Sequence, residues 1–503
     1  NVLFVYPDFN ETVGGTQQHG SYSEGIGSLS AVLKRAGHGV DLLHLTSDIS
    51  KDDYSSEIMS RDCDLVAFSA RTSIFPYVRN YAAWTKQVRP DDGPNPVVTL
   101  CGGYHATMEP QETIEVDGMD AVCIGEGEGP IVDLCDRLDA RESYSDVKSL
   151  WVKADGEIVR NEVRPLLEDL DELPVPDLGL FDFENLSASR IKTANVMLSR
   201  GCPYKCTYCC NHQFKAVYPN KNKYARFMSP ERAITYLAKL RADYPFIRYI
   251  NFMDNILPMK KKWFYEFVEG YKTEIGLPFS CRFRADLMTR EVVAALKDAG
   301  CYLVHFGVES GDDYIRNDIL QRNMKREKII QAFDTCRELG LSALSYNMIN
   351  LPHEGMGEIL STIKLNARLK PDRVVDTIFY PYPNTKLYEI AVEAGFLEPC
   401  FDYREEIPLE QPKLSRPEVL FAQRYFRTFI RIYRLVERLP RFLRKAVERG
   451  VDKIFLTKMK PHGLLVGIAN ARLSATVGFK RFLMKRTPSL YLYLRDMVVR
   501  KSD

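Results

Sequence analysis

Three cysteines, Cys202, Cys206 and Cys209, stand in the spacing C-x3-C-x2-C inside the run M-L-S-R-G-C-P-Y-K-C-T-Y-C of residues 197–209. Three thiolates on one short loop can hold three corners of a cuboidal iron–sulfur cluster and leave the fourth iron without a protein ligand. A cluster held by four cysteines carries electrons, whereas an open iron can bind and activate a second molecule. Zinc is the alternative, with Cys210 or His212 as a fourth ligand, although zinc sites usually pair C-x2-C knuckles. The residues just ahead, 195–199, are apolar and β-prone, so the loop is expected to hang from the end of a buried strand.

That strand opens a longer rhythm. Short β-prone runs over 247–253, 279–283, 303–308, 344–349 and 374–380 alternate with helical patterns over 229–243, 260–273, 289–299, 324–339 and 358–369. About six parallel βα units predict a partial, TIM-like (β/α)6 barrel, whose functional residues sit at the carboxyl ends of its strands. Polar residues cluster at those ends. Glu309 and Asp254 are acceptor-only carboxylates suited to an ammonium or to ribose hydroxyls. Arg284 and Arg322 offer the planar forks that bind carboxylates. Each of them could equally be an ordinary salt-bridge partner within the barrel.

The cysteine stretch resembles the cluster loop of the radical S-adenosylmethionine (SAM) enzymes, with Tyr208 at the family's aromatic position. The strand-end runs F-M-D-N (252–255), R-A-D (284–286), G-V-E-S-G (307–311), N-L-P-H-E (350–354) and P-Y-P-N-T (381–385) are similar to those of the same family. Asn350 and Asn384 stand where Gly is common, and Asn tolerates left-handed backbone. The resemblance implies a 4Fe-4S cluster on Cys202, Cys206 and Cys209, with SAM on the open iron. Around SAM it implies contacts from Tyr208, Asp254, Arg284, Glu309, Ser310, Arg322 and Asn347. A reductant such as a flavodoxin or ferredoxin is implied too. The cofactor would then carry chemistry that side chains cannot do, namely hydrogen abstraction by a deoxyadenosyl radical.

Ahead of the barrel, strands over 2–6, 40–45, 64–69, 96–101 and 120–124 alternate with helices over 23–35 and 74–86 and one from about residue 130. This pattern predicts a doubly wound parallel sheet, which binds ligands outside the carboxyl ends of its strands. The loops there are 7–20, G-G-Y-H-A-T (102–107) and G-E-G-E (125–128). On their own these glycines are turn residues. Together they look like the cobalamin-binding domain that precedes many radical SAM domains. The resemblance assigns cobalamin to Ser69, Gly102, Gly103, His105, Thr107, Gly125, Glu126, Gly127 and Glu128. No D-x-H-x2-G run is present, which implies cobalamin held without a protein histidine on cobalt. The domain pair implies methylation of an unactivated carbon, with cyclisation or carbon–carbon coupling as the alternative.

The expected organisation is a cobalamin-type domain over 1–145, a linker over 146–190 carrying a hairpin at 151–165, the barrel over 191–400 and a helical region over 401–503. The 503 residues are 45% hydrophobic and 27% charged with net charge +1, an ordinary globular balance. The twelve cysteines suit a reducing cytosol. The amino-terminal residues read as a first strand rather than a signal peptide. No apolar run is long enough to span a membrane. From Arg424 onward Lys and Arg far outnumber Asp and Glu, interleaved with Phe, Tyr and Leu over 417–438, 441–449, 473–484 and 490–499. Such basic amphipathic helices could touch an anionic membrane or cap the barrel. No nucleic-acid recognition module appears, so nucleic acid is not an expected partner. The tail tilts the expected small-molecule substrate toward a lipid-like or natural-product-like one.

Overall fold

A computed structural model describes residues 1–9, 20–93, 96–257, 260–398, 405, 407–457, 467, 471, 486 and 487. The expected helices over 473–484 and 490–499, and most of the loop 7–20, lie outside the described residues. The chain forms two compact units, residues 1–203 with 211–248, and residues 204–210 with 249–503.

The first unit carries strands β1 (Val2–Pro7), β2 (Val40–Leu45), β3 (Leu65–Ser69), β4 (Val98–Gly102), β5 (Ala121–Cys123), β6 (Leu150–Ala154) and β7 (Glu157–Arg160). Their order is β2-β1-β3-β4-β5-β6-β7, with the first five parallel and the last two added antiparallel. β1 and β3 are buried almost throughout, as expected of strands covered on both faces. The helix Glu24–Ala36 starts at Ser23, whose hydroxyl accepts from the Ile26 N–H, and stops at Gly37 in the left-handed region.

Two expectations need correcting. The hairpin placed in a linker is β6–β7, and it extends this sheet. Its two-residue turn, Asp155-Gly156, has positive φ at both positions, the geometry that matches strand twist. The helix Lys51–Met59 was not expected, because it is polar and buries only Tyr54 and Ile58, four residues apart. Downstream, the first unit also holds β8 (Thr193–Val196) and the short antiparallel pair β9 (Ser199–Arg200) and β10 (Arg226–Phe227).

The second unit carries β11 (Tyr249–Phe252), β12 (Phe279–Phe283), β13 (Cys301–Glu309), β14 (Ser342–Ile349) and β15 (Arg373–Ile378), all parallel and hydrogen-bonded in that order. With β8 ahead of them in sequence, the βα rhythm counts six strands, a partial barrel. Side chains alternate across each strand. Cys281, Phe306 and Asn347 face the helices, where Phe306 meets Phe333 and Asn347 meets Asn366. Arg282, His305 and Tyr346 therefore lie on the opposite, helix-free face.

The tail helix Arg416–Val436 buries Val419, Phe421, Ala422, Phe426, Phe429 and Ile430 in one core with Ile359, Leu360 and Ile363 of the helix Met356–Leu369. Its apolar stripe thus packs in the outer helix layer, on the helix-bearing side of β15, and not over the barrel mouth. Among the described residues no helix is long and apolar enough to cross a membrane.

Candidate functional site

In the second unit the cluster loop is pinned at Thr207. Its N–H donates to the Leu320 carbonyl (3.2 Å), its hydroxyl to the Ile319 carbonyl (2.7 Å), and its own carbonyl accepts from the Leu387 N–H (2.9 Å). The next residue, Tyr208, donates its hydroxyl to Glu309 Oε1 (3.2 Å) and accepts from Arg322 Nη1 (2.5 Å). Arg322 also lies 3.5 Å from Glu309 and 4.0 Å from the Cys206 sulfur. Burial opposes the Arg322 charge, but Tyr208, Glu309 and Cys206 around it hold it firmly protonated.

Cys210 behaves differently. Its hydrogen bond to Cys209, and then burial, push its thiol up, so it stays protonated. Among the described residues no three His, Cys, Asp or Glu side chains stand close enough to share one ion. A cuboidal cluster takes one thiolate per iron, so its cysteines surround one cube without sharing a single ion.

Glu309 ends β13 at φ +64, and β13 and β14 shift register between Gly307 and Glu309. Such a conformation costs a non-glycine residue about 1–3 kcal/mol and persists only where neighbours enforce it. Gly307 leaves room for the carboxylate, because a Cβ there would press on Glu309 Oε1 and the Arg322 guanidinium. Burial pushes the Glu309 carboxyl up, against the pull of Arg322. Ser310 sits behind it, fully buried, its hydroxyl 3.4 Å from that of Thr362 and accepting from the Asp312 N–H.

Arg284 is half committed. It grips both Asp286 oxygens (3.0 and 2.9 Å), donates to the Arg322 carbonyl and lies 3.8 Å over the Tyr204 ring. Nη1 has no hydrogen-bond partner among the described residues. Asp254 is fully buried beyond the end of β11. Asn347 is a correction. It accepts from Asn366 (2.7 Å) and donates to Ser345 and the Val375 carbonyl, inside the layer between sheet and helix. One step of strand alternation turns it away from the strand-end site.

The N-L-P-H-E run is a buckle. Asn350, at φ +64, donates to the Leu409 carbonyl and accepts from Gln411. Asn384 also takes positive φ, as its Asn identity allows. Glu354 is fully buried, accepts from the Leu351 N–H (3.1 Å) and leaves Oε1 without a partner among the described residues. Burial raises its pKa from 4.5 to about 8. A raised folded pKa on an acid means the neutral carboxyl is the stabilising form. Its contribution is complete below about pH 4.5 and is lost as pH rises through about 8, at roughly 1.4 kcal/mol per unit over that window. Glu354→Gln should leave the melting temperature near pH 5 unchanged and raise it at pH 9, as read by calorimetry.

In the first unit the glycine-rich loops meet at the carboxyl ends of the adjacent strands β3, β4 and β5. The Thr107 hydroxyl accepts from the Gly125 N–H (3.0 Å), stitching two of them together. Gly103 takes φ +96, and a Cβ there would press on the Ala70 backbone at 3.0 Å. Ser69 and Gly102, opposite each other across β3 and β4, are half-buried at the rim, and Gly103 is exposed. This backbone platform fits a large cofactor.

Three side chains assigned to that cofactor do something else. His105 is fully buried, packs on Phe75 at 3.8 Å between ring centroids and sits 3.5 Å from Glu112. Glu126 accepts from Arg226 Nη1 (3.0 Å) and Nη2 (2.5 Å) and from Arg200 (3.2 Å). Glu128, one residue past Gly127 at the start of its helix, accepts from Ser28 (2.7 Å) and from Arg200. Both carboxylates are satisfied by arginines of their own unit. Sequence reasoning missed Arg200, Arg226 and Thr207, although Arg200 directly precedes Gly201-Cys202 and Thr207 lies inside the cysteine motif.

The Radical SAM superfamily matches residues 196–365, and the B12 binding domain family matches residues 14–135. An uncharacterized methyltransferase of Pyrococcus horikoshii is 30% identical over 73% of this chain and 78% of its own. The chain belongs to the radical SAM enzymes that carry a B12-binding domain. Its cofactors are accordingly a 4Fe-4S cluster, SAM and cobalamin. The anaerobic magnesium-protoporphyrin IX monomethyl ester cyclase of Rubrivivax gelatinosus is 25% identical over 83% of this chain and 75% of its own. Among solved structures, the cobalamin-dependent S-adenosylmethionine radical enzyme OxsB with aqua-cobalamin and SAM bound shares the fold. It has a TM-score of 0.69 at 15% identity, covering 100% of this chain and 75% of that one.

Proposed function

We propose that this enzyme transfers a methyl group from SAM, by way of cobalamin, to an unactivated carbon of a hydrophobic or natural-product-like small molecule. The observation that carries the reading is the pairing of radical SAM and B12-binding matches on one chain with a 30%-identical methyltransferase. When bound, the cofactors supply reductive cleavage of SAM and a carrier for its methyl group. The chain does the positioning. Cys202, Cys206 and Cys209 hold three irons, Arg322 keeps a positive charge beside Cys206, and Tyr208 and Glu309 form one hydrogen-bonded unit with it. In this reading Glu309, Asp254 and the remaining Nη1 of Arg284 bind the polar groups of SAM, and Ser69, Gly102, Gly103, Thr107 and Gly125 cradle cobalamin.

The cyclase among its relatives keeps a second reading in view, oxidative cyclisation or coupling on the same domain pair. Methyl-labelled SAM separates the two. Supplied with the small-molecule fraction of the source cells, the reduced protein should place label in one product. Substrate consumed without label would mean cyclisation. A peripheral membrane contact is proposed for the helix Arg441–Leu456, where Phe442 is 80% exposed and Ile454 63% among arginines and lysines. Indifference to anionic vesicles at low salt would remove that part.

A further inference from the structure

The helix-free face of the barrel sheet carries a row of basic side chains that the cofactor reading does not use. Strand register aligns Arg282 on β12 with His305 on β13, then Leu344 on β14 and Arg373 on β15. One step nearer the strand ends, the Tyr346 hydroxyl lies 3.5 Å from His305 Nδ1. Three strand spacings separate the outer arginines, roughly 14 Å of backbone, which two long guanidinium side chains can close from either side.

Among the described residues the row has no counter-charge. Neither arginine forms an ion pair among the described residues, and Arg282 donates to the Met253 sulfur (3.2 Å). His305 Nε2 has no hydrogen-bond partner among the described residues. Arg373 is exposed and Arg282 and Tyr346 are half-buried, while the unpartnered Nε2 of half-buried His305 is itself enclosed. Burial, and then the two arginines, lower the His305 pKa to about 4, which leaves the imidazole neutral at physiological pH. A neutral imidazole between two guanidiniums can donate a hydrogen bond without adding a third charge. Two uncompensated arginines on one face cost less when an anion sits between them.

We propose that Arg282, His305 and Arg373, with Tyr346 beside them, form a subsite for an oxyanion of the substrate, a carboxylate or a phosphoryl group. The proposal rests on the methyltransferase reading for its setting and sharpens the substrate class: the hydrophobic body carries an anionic end. The shared chemistry is a polydentate oxyanion, and the experiment below separates its two sources.

The anaerobically reconstituted full chain, in chloride buffer, is titrated separately with acetate and with methylphosphonate. The imidazole C2 proton resonance of His305, identified by its loss in His305→Gln, is followed by NMR. A saturable shift is expected with at least one anion; acetate alone would assign a carboxylate, methylphosphonate alone a phosphoryl group. Removing both guanidiniums in Arg282→Gln/Arg373→Gln should weaken binding about tenfold or more. No saturable shift in the unsubstituted protein, or equal binding in the double variant, overturns the subsite. The underlying reading is scored separately, by iron content and SAM cleavage in the unsubstituted protein. A protein that cleaves SAM but shows no anion shift therefore refutes the subsite alone.

Discussion

Cys206→Ala protein, purified without oxygen, is expected to lose its iron and to form no 5′-deoxyadenosine from SAM under reductant; Cys202→Ala and Cys209→Ala should match it. Removing any one thiolate leaves two corners of the cluster held, too few to retain it. Cys206 is also the most enclosed of the three. It is buried, its sulfur is 4.0 Å from Arg322, and Thr207 beside it anchors the loop through three hydrogen bonds. Cys210→Ala is the internal control. Its thiol is held protonated beside Cys209, so both iron and SAM cleavage should survive its loss. Iron retained in Cys206→Ala, or lost in Cys210→Ala, would mean that the ligands have been misassigned.

The second large effect is expected at Arg200. Its guanidinium joins Glu126 and Glu128, and Arg226 shares Glu126. Burial opposes the Arg200 charge, but Glu128 and then Glu126 hold it far above the ordinary range. Arg200→Leu removes the guanidinium from Glu128 and leaves it Ser28 and its own backbone N–H. Stranding a largely buried carboxylate costs about 3 kcal/mol, the low end for a broken buried pair, because this network keeps some solvent contact. Urea unfolding should show the loss. Iron content should fall with it, since Arg200 lies two residues ahead of Cys202. The pH dependence has a definite sign. Burial works against the Glu128 charge, but Arg200 depresses its pKa below 4.5. The pair's contribution is therefore whole above pH 4.5 and fades as pH falls through the depressed value. Unsubstituted protein should lose stability more steeply below pH 4.5 than Glu128→Gln.

These two sites also show how far the sequence could be read. The cysteine spacing and the strand-end runs are local signals, and they lead to Tyr208, Glu309 and Arg322, which the fold brings into one hydrogen-bonded group. The apolar strands and the Ser23 and Gly37 caps carry the first sheet, because burial on both faces and cap chemistry are written in neighbouring residues. Asn350 and Asn384 announce left-handed backbone by residue type. Glu126, Glu128 and His105 sit in a cofactor-like motif, yet their partners Arg200, Arg226 and Phe75 lie far away in sequence. Asn347 shares its strand with Tyr346, and only the side of the alternation separates them. The Arg282–His305–Arg373 row appears once register is known, since its members come from separate strands far apart in sequence. The tail helix could be read as lipid-facing or barrel-facing from its stripe alone, and the core shared with Ile359 and Ile363 decides for the barrel.

The central claim is methyl transfer by a cobalamin-dependent radical SAM enzyme, and the products of SAM report on it without knowledge of the final product. One SAM consumed as a radical source leaves 5′-deoxyadenosine, and one consumed as a methyl donor leaves S-adenosylhomocysteine. Reduced protein turning over with the small-molecule fraction of its source cells should form the two in about equal amounts. Steady 5′-deoxyadenosine with no S-adenosylhomocysteine would contradict the account.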